Sequence, residues 1–582
     1  MSFNKFPFIE IHSDLEDINV GWTAITNKLN SLLSNSSGSN TLVFECYQGI
    51  YYDKLLNWVK NELSYNNLIN TADLMKPEEQ IREITQQDVT DDRIFGFLTR
   101  LNVIDFFDNS ELEKSKSKIS VFNGKTIIVG YGASLLVEDP DIIVYADMAR
   151  WEIQQRMRRN EVNNFGVNNK NETFEAKYKR GFFVDWRAQD RLKRKLMHKW
   201  DFVLDTNDHK NPKLVDGDLM RNALKQAAGR PFSLMPFFDP GPWGGQWMKD
   251  VCDLDKEIDN FAWCFNCVPE ENSLLFKFNE TLVEVPSINL VFYQPIELLG
   301  DAVHARFGDE FPIRFDFLDT MDGGNLSLQV HPLTEYIQEK FGVPYTQDES
   351  YYLMDAKPGA KVYLGLREGI NPQQMMEELE EAQEKGIHFD ADKHVQTWDI
   401  KKHDHVLIPG GTIHCSGVNS MVLEISSTPY IFTFKLWDWG RLGLDGKPRP
   451  INLEHGKNVI QWDRTTPWTK TNLVNRIEKI DEGDGWTEER TGLHEREFIE
   501  TRRFWFSKLT NHNTNGGVQV LNLVEGEEAI VESPDGTFEP FIIHYAETFI
   551  VPAKVGKYTI KPYGVSEGKE VGIIKAYVRT NY

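Results

Sequence analysis

Cysteine is scarce in this chain, five in 582 residues, a small and odd number that argues against a disulfide framework and fits a reducing compartment. Long apolar runs are missing too. None approaches the roughly 18 residues that span a bilayer, and the opening Met1-Ser-Phe-Asn-Lys-Phe-Pro-Phe-Ile-Glu lacks the basic start and apolar core of a secretory signal. Basic residues are in deficit, 64 against 88 acidic, and the resulting charge of -24 repels nucleic acid and anionic membrane at long range. The expectation is a cytoplasmic protein with neither nucleic-acid nor membrane partners. Any anionic ligand must find a pocket that is locally basic against that field. Cys264 and Cys267 form a Cys-x-x-Cys, but no second pair stands at zinc-finger spacing. They read as buried thiols behaving as small hydrophobes.

What is present divides the chain. At 582 residues with 40% hydrophobic content there is material for several cores. Up to about residue 230, short apolar runs such as Thr41-Leu-Val-Phe-Glu, Thr126-Ile-Ile-Val-Gly and Ile142-Ile-Val-Tyr-Ala-Asp alternate with charged segments of helical period. That alternation predicts an α/β domain with a largely parallel sheet. From Ser287 onward short strands are broken by glycine and proline, with one helical insert expected over 371–385, where Gln, Met, Glu and Ala dominate. This part should be mainly β. The expected division is 1–230, 231–480 and 481–582.

Within the β region, Gly324-Asn-Leu-Ser-Leu-Gln-Val-His-Pro places Gln329 and His331 two apart on an alternating strand, hence on one face. Glu349 and His414, each beside hydrophobic residues of an expected strand, complete an N2O2 set. Imidazole nitrogen with carboxylate or carbonyl oxygen suits zinc and several other divalent first-row metals. A single strand histidine is more often a structural or surface residue than a ligand. The argument rests on the combination. His403 and His405 form a His-x-His, but they flank Asp404 in what reads as an exposed hairpin.

Five ordered blocks, Leu326-Ser-Leu-Gln-Val-His-Pro, Glu349-Ser-Tyr-Tyr-Leu-Met-Asp-Ala-Lys-Pro-Gly-Ala, Ile408-Pro-Gly-Gly-Thr-Ile-His, Val422-Leu-Glu-Ile and Phe434-Lys-Leu-Trp-Asp-Trp-Gly-Arg, closely resemble type I phosphomannose isomerases. These are cupin enzymes that interconvert mannose 6-phosphate and fructose 6-phosphate. With Pro242-Trp-Gly-Gly the resemblance runs from about Pro231 to the C-terminus. It implies a double-cupin (jelly-roll) region, a phosphorylated hexose as substrate, and Gln329, His331, Glu349 and His414 as metal ligands. It also implies Arg441 as the active-site arginine. Lys435 and Asp438, on the same segment, and Glu424, on the strand after His414, are candidates for the substrate pocket wall or for burial beneath it. In the second cupin, Gly556-Lys557-Tyr558 stands where Ile413-His414 would be, so that barrel carries no ligand there.

The departures matter as much. Members of that family often carry Gly-Lys-Thr before the metal-binding glutamate, and here the residues are Thr346-Gln-Asp. A lysine held to work in the active site is therefore missing. Three readings stay open: a metal-dependent isomerase, a noncatalytic sugar-phosphate sensor that keeps the metal and has lost the chemistry, and, against the absence of a P-loop, a bifunctional enzyme with an unorthodox kinase.

The segment Tyr145-Ala-Asp-Met-Ala-Arg-Trp-Glu-Ile-Gln-Gln-Arg-Met-Arg-Arg-Asn, with Tyr178-Lys-Arg-Gly and Trp200-Asp-Phe-Val-Leu-Asp, resembles the lid and final strand of uridine-kinase-like P-loop kinases. Where such a kinase needs Gly-x-x-x-x-Gly-Lys-Ser/Thr, this chain has Glu45-Cys-Tyr-Gln-Gly-Ile-Tyr-Tyr-Asp-Lys, without the lysine-hydroxyl pair. A later Gly124-Lys125-Thr126 precedes an apolar strand and reads as a hairpin turn. The expectation is a P-loop-kinase-like fold lacking the P-loop and kinase activity. Arg156, Arg158 and Arg159 would be an anion or interdomain contact or a solvated helix face.

Overall fold

The computed structural model describes residues 3–14, 18–34, 40–428, 432–442, 449, 451–495 and 497–580. The chain forms two compact units, one of Phe8–Gln226 with Ser273–Tyr293, the other of Met1–Pro7, Ala227–Asn272 and Gln294–Tyr582. The first unit also takes in a later strand pair and helix, Ser273–Tyr293, beyond the segment 1–230 delimited from the sequence. Their short apolar pattern gave no sign of that long-range pairing.

In the first unit a seven-stranded sheet runs in the order Ile18–Val20, Lys213–Asp216, Phe202–Asp205, Ile142–Asp147, Asn40–Cys46, Lys125–Gly130, Asn67–Asn70. The last five of these are mutually parallel; counted along the chain, their spatial order is 2-3-1-4-5. Strand Asn40–Cys46 lies in the middle and is buried at every position. Its apolar centre, Leu42-Val43-Phe44, fits a strand covered on both faces. Gly124-Lys125-Thr126 proves to be the entry into a parallel strand rather than a hairpin, because Lys125 pairs in parallel with Asn40.

The loop after the central strand is filled from within. Gly49 adopts φ +102, and a Cβ there would lie 2.5 Å from Ile153, so the loop is pressed onto helix Arg150–Arg158. Arg156, 1% exposed, donates to the carbonyl oxygens of Gly49 (3.0 Å), Thr206 (2.8 Å) and Asn207 (3.1 Å) and pairs with Glu152. Gln48 N–H is spent on Gln189 Oε1 and Tyr47 N–H on Ala146 O. Arg158 lies over the Trp151 and Phe174 rings, and Arg159 pairs with Glu152 and Glu161. Arg156 is thus neither solvated nor turned toward an external anion: it is a buried brace for backbone carbonyls that would otherwise lack donors. Asp147, at the end of its strand, is held by Lys193 (2.8 Å) and Asn289 (2.8 Å).

The second unit is built from antiparallel pairs. One six-stranded sheet has the order His405–Ile408, Glu349–Ala356, Ser420–Ser426, Arg314–Asp319, Trp263–Cys267, Phe237–Asp239, and a five-stranded sheet the order Val395–Asp399, Lys361–Leu366, His414–Ser416, Leu328–Val330, Phe434–Trp437. Two further sheets, of six and four strands, lie between Glu478 and Val578 and bury Phe504, Leu521, Phe549 and Ile573 among others in a common core. The insert is a helix over Pro372–Lys385, started by the Asn371 side chain on Gln374 N–H and by proline in the first turn, and stopped by Gly386 at φ +65. His405 is fully buried, with Nε2 2.9 Å from Ser350 Oγ, and His403 meets Tyr352 and Glu525. The His-x-His segment is therefore not an exposed hairpin. All five cysteines are buried and free.

Candidate metal centre

Strand Leu328–Val330 turns Leu328 and Val330 into the core, both fully buried, and Gln329 and His331 to the other side. Its neighbours fix what meets that second side. Gln329 is in register with His414 on one flank and with Lys435 on the other. Antiparallel partners share a face. Glu349 comes from the opposing six-stranded sheet, where Tyr351 pairs with Glu424 and Glu424 with Asp316.

The ligand-type atoms of His331, Glu349 and His414 lie within 4.8 Å of one another, all three residues buried. His331 Nε2 is 3.0 Å from Glu349 Oε2, His414 Nε2 is 2.8 Å from Glu349 Oε1, and Gln329 Nε2 is 3.2 Å from His414 Nε2. Each imidazole is oriented from behind by a backbone carbonyl: His331 Nδ1 is 2.7 Å from Phe432 O, and His414 Nδ1 is 2.9 Å from Thr412 O. A proton on Nδ1 donated to those carbonyls leaves the Nε2 lone pairs aimed at Glu349, the arrangement of metal-ligating histidines. His331 Nε2 and Glu349 Oε1 have no hydrogen-bond partner of acceptable direction. Orphaned buried acceptors converging on one point fit a divalent cation, and a turn of the Gln329 amide adds its carbonyl oxygen. No second group of this kind occurs among the described residues.

Burial would raise the Glu349 carboxyl, but the His331 and His414 imidazoles hold it well below the usual carboxylate range. Burial works against charge on His331, and Glu349 beside it still pulls its value up; His414 is lowered, chiefly by burial. Burial, then the charges of Glu349 and Asp316, push Glu424 well above the usual range. Glu424, biased toward its protonated form, thus backs Glu349, which is biased toward its ionised form. Arg314 sits in this layer, 3.4 Å from Asp316 and bonded to Thr428 O.

Arg441 donates to Asn325 O (2.7 Å), at the approach to the histidine strand, and pairs with Asp438, whose other oxygen meets Arg449 at 3.0 Å. Asp438 is buried, and two guanidiniums offset the cost of burying its charge. Trp439 Nε1 donates to Leu326 O (2.6 Å), tying the same segment to the histidine strand. The structure thus groups the four ligand candidates, sets Lys435 beside Gln329 by register, puts Glu424 behind Glu349, and knots Arg441 with Asp438.

One contributor goes unnoticed in the sequence. Gln347, in the position of the family's lysine, donates to Glu349 Oε2 (3.0 Å) and accepts from Phe432 N–H (2.8 Å). It stands two residues before Glu349, the same spacing that links Gln329 to His331, and that spacing was the available signal.

Residues 21–229 match a family described as a domain of unknown function, DUF8485. Over 349 residues the chain is 24% identical to the mannose-6-phosphate isomerase ManA of Bacillus subtilis, covering 60% of this chain and 98% of that protein. A probable mannose-6-phosphate isomerase of the same organism, GmuF, is 29% identical over 231 residues, 40% of this chain and 68% of that one. Among solved structures, mannose 6-phosphate isomerase from Bacillus subtilis aligns with a TM-score of 0.48 at 19% identity, over 60% of this chain and all of that one. The sequence relatives support a sugar-phosphate isomerase region in this chain; nothing kinase-like is among these matches.

Proposed function

We propose that the region from about 231 to 582 is a metal-dependent aldose-ketose isomerase of double-cupin architecture, interconverting mannose 6-phosphate and fructose 6-phosphate. The observation that carries this reading is the buried triad His331, Glu349 and His414, set in a region similar to proteins named mannose-6-phosphate isomerase. Gln329, His331, Glu349 and His414 would hold zinc or another divalent first-row cation. Bound there, the cation would polarise the sugar oxygens and stabilise the charge that develops as a proton moves between adjacent carbons. Arg441, always cationic, takes the phosphate or the developing oxyanion. Lys435, beside Gln329, and Asp438, which positions Arg441, form the pocket wall together with Glu424. Metal-reconstituted protein should convert mannose 6-phosphate to fructose 6-phosphate, and both chelation and His414→Ala should abolish turnover. Stoichiometric metal without turnover would sink this reading.

Gln347 favours a second reading. The lysine position is filled by an amide already engaged on both sides, so no ammonium is available there to move a proton. Under this reading the metal centre binds the sugar phosphate without turning it over, and calorimetry would show binding with no fructose 6-phosphate formed.

For residues 1–230 we propose a P-loop-kinase-like fold without kinase activity, in a cytoplasmic protein. The parallel strand order 2-3-1-4-5 and the loop 47–51, sealed by Arg156 and Ile153, support it. ATP-dependent phosphorylation of a nucleoside or sugar by the purified protein would overturn it.

A further inference from the structure

The N-terminal unit contains a cavity of about 500 Å³ that none of these readings uses. It opens at the carboxyl ends of strands Asn40–Cys46, Asn67–Asn70 and Lys125–Gly130, where Tyr52, Ala72 and Tyr131 all reach its wall. In open α/β sheets this is the crevice in which ligands bind, and the volume is that of a small-molecule site.

Its walls indicate what fits. The rings of Tyr52 and Tyr131 stack at 5.3 Å and 19°, and Tyr52 is fixed through its hydroxyl on Asn70 Oδ1. They give one side a rigid aromatic surface. Opposite chemistry comes from Asp53 in the first turn of helix Tyr52–Glu62 and from the amides of Asn163 and Asn168. A flat aromatic surface accepts the C–H face of a sugar ring, and carboxylate and amide groups satisfy adjacent hydroxyls.

The wall offers no unengaged cation to a phosphorylated ligand. Of its three carboxylates, Glu78 pairs with Arg82 and Glu161 with Arg159, leaving Asp53 beside two ammonium groups. Of these, Lys54 sits over the Tyr51 ring at 4.2 Å and Lys76 donates to Asp105 O. The nearby loop amides and Arg156 are already committed to internal partners. A dianion would therefore find no free donor cluster in this crevice.

We propose that this crevice binds a neutral polyhydroxylated ring, an unphosphorylated monosaccharide, independently of the metal centre. The test is saturation-transfer NMR on the full chain carrying His414→Ala, so that the metal centre does not contribute, with D-mannose, D-glucose, uridine and inorganic phosphate as probes. Sugar C–H protons should receive saturation with a dissociation constant on the order of 1 mM, an affinity of about 4 kcal/mol. Asp53→Asn, at an exposed helix turn, and Tyr131→Leu should each weaken the sugar signal at least about fivefold, with circular dichroism confirming that both variants are folded. Absence of any sugar signal would overturn the proposal. So would binding of uridine or phosphate alone, or sugar binding that neither variant alters. Because the metal centre is disabled throughout, none of these outcomes depends on whether the protein isomerises sugar phosphates.

Discussion

Gln329 and His414, 85 residues apart in the chain, face each other as one antiparallel register pair, their Nε2 atoms 3.2 Å apart. The site is therefore a property of sheet pairing, and its two histidine-bearing strands are held together before any ligand is present.

Removing a histidine should empty the site. His331→Ala or His414→Ala is expected to lose stoichiometric zinc, measured by elemental analysis after dialysis, and to lower turnover of mannose 6-phosphate by more than about 100-fold. That exceeds the roughly 10- to 100-fold cost of losing an outer partner.

Gln347→Ala tests such an outer partner. Glu349 would lose the donor on Oε2 while keeping both imidazoles, so metal affinity should weaken by about 10- to 100-fold without loss of fold. Competition with a chromophoric chelator reads this directly, and an unchanged affinity would remove Gln347 from the account.

Asp438→Ala leaves Arg441 and Arg449 without their shared carboxylate. If Arg441 grips the sugar phosphate, Arg441→Ala should lower kcat/KM by about 100-fold, or roughly 3 kcal/mol. Asp438→Ala should give a smaller loss concentrated in KM. Equal losses from both would place Asp438 itself against the substrate.

His405 makes a pH prediction. Burial pushes it from 6.5 down to about 3, so the folded protein keeps it neutral where the unfolded chain takes up a proton. Its contribution to stability is intact above about pH 6.5 and is lost as pH falls toward 3, at about 1.4 kcal/mol per pH unit. Between pH 6 and 4, His405→Leu should show a shallower decline than the parent chain in denaturant titrations.

Arg156→Ala would strip donors from three backbone carbonyls and should destabilise the N-terminal unit by about 3 kcal/mol or more, seen as a lowered calorimetric transition. An unchanged transition would show that these three carbonyl bonds add nothing to the stability of the unit.

What the sequence made legible was local. The i, i+2 spacing of Gln329 and His331, the Asn371 cap with its following helix, and the alternation of strand and helix before residue 230 are written in neighbouring residues. Partners distant in the chain left no such trace. Asn289 reaching Asp147, Gln347 gripping both Glu349 and Phe432, and Arg156 bracing the loop at Gly49 all depend on which segments become neighbours. A single chain does not encode that in its periodicity. His405 illustrates the same limit: Asp404 beside it suggested a turn at the surface, whereas the strand it opens is an edge of a buried sheet.

The alternation of Leu328, Gln329, Val330 and His331 makes metal content a measure of folding fidelity. A slip of one residue in that strand would exchange Gln329 and His331 for Leu328 and Val330 at the site. The slipped molecule could still be collapsed and largely β, but it would present hydrocarbon where the cation belongs. Zinc per chain in a preparation would then count the molecules whose sheets closed in the right register, a quantity that circular dichroism does not resolve.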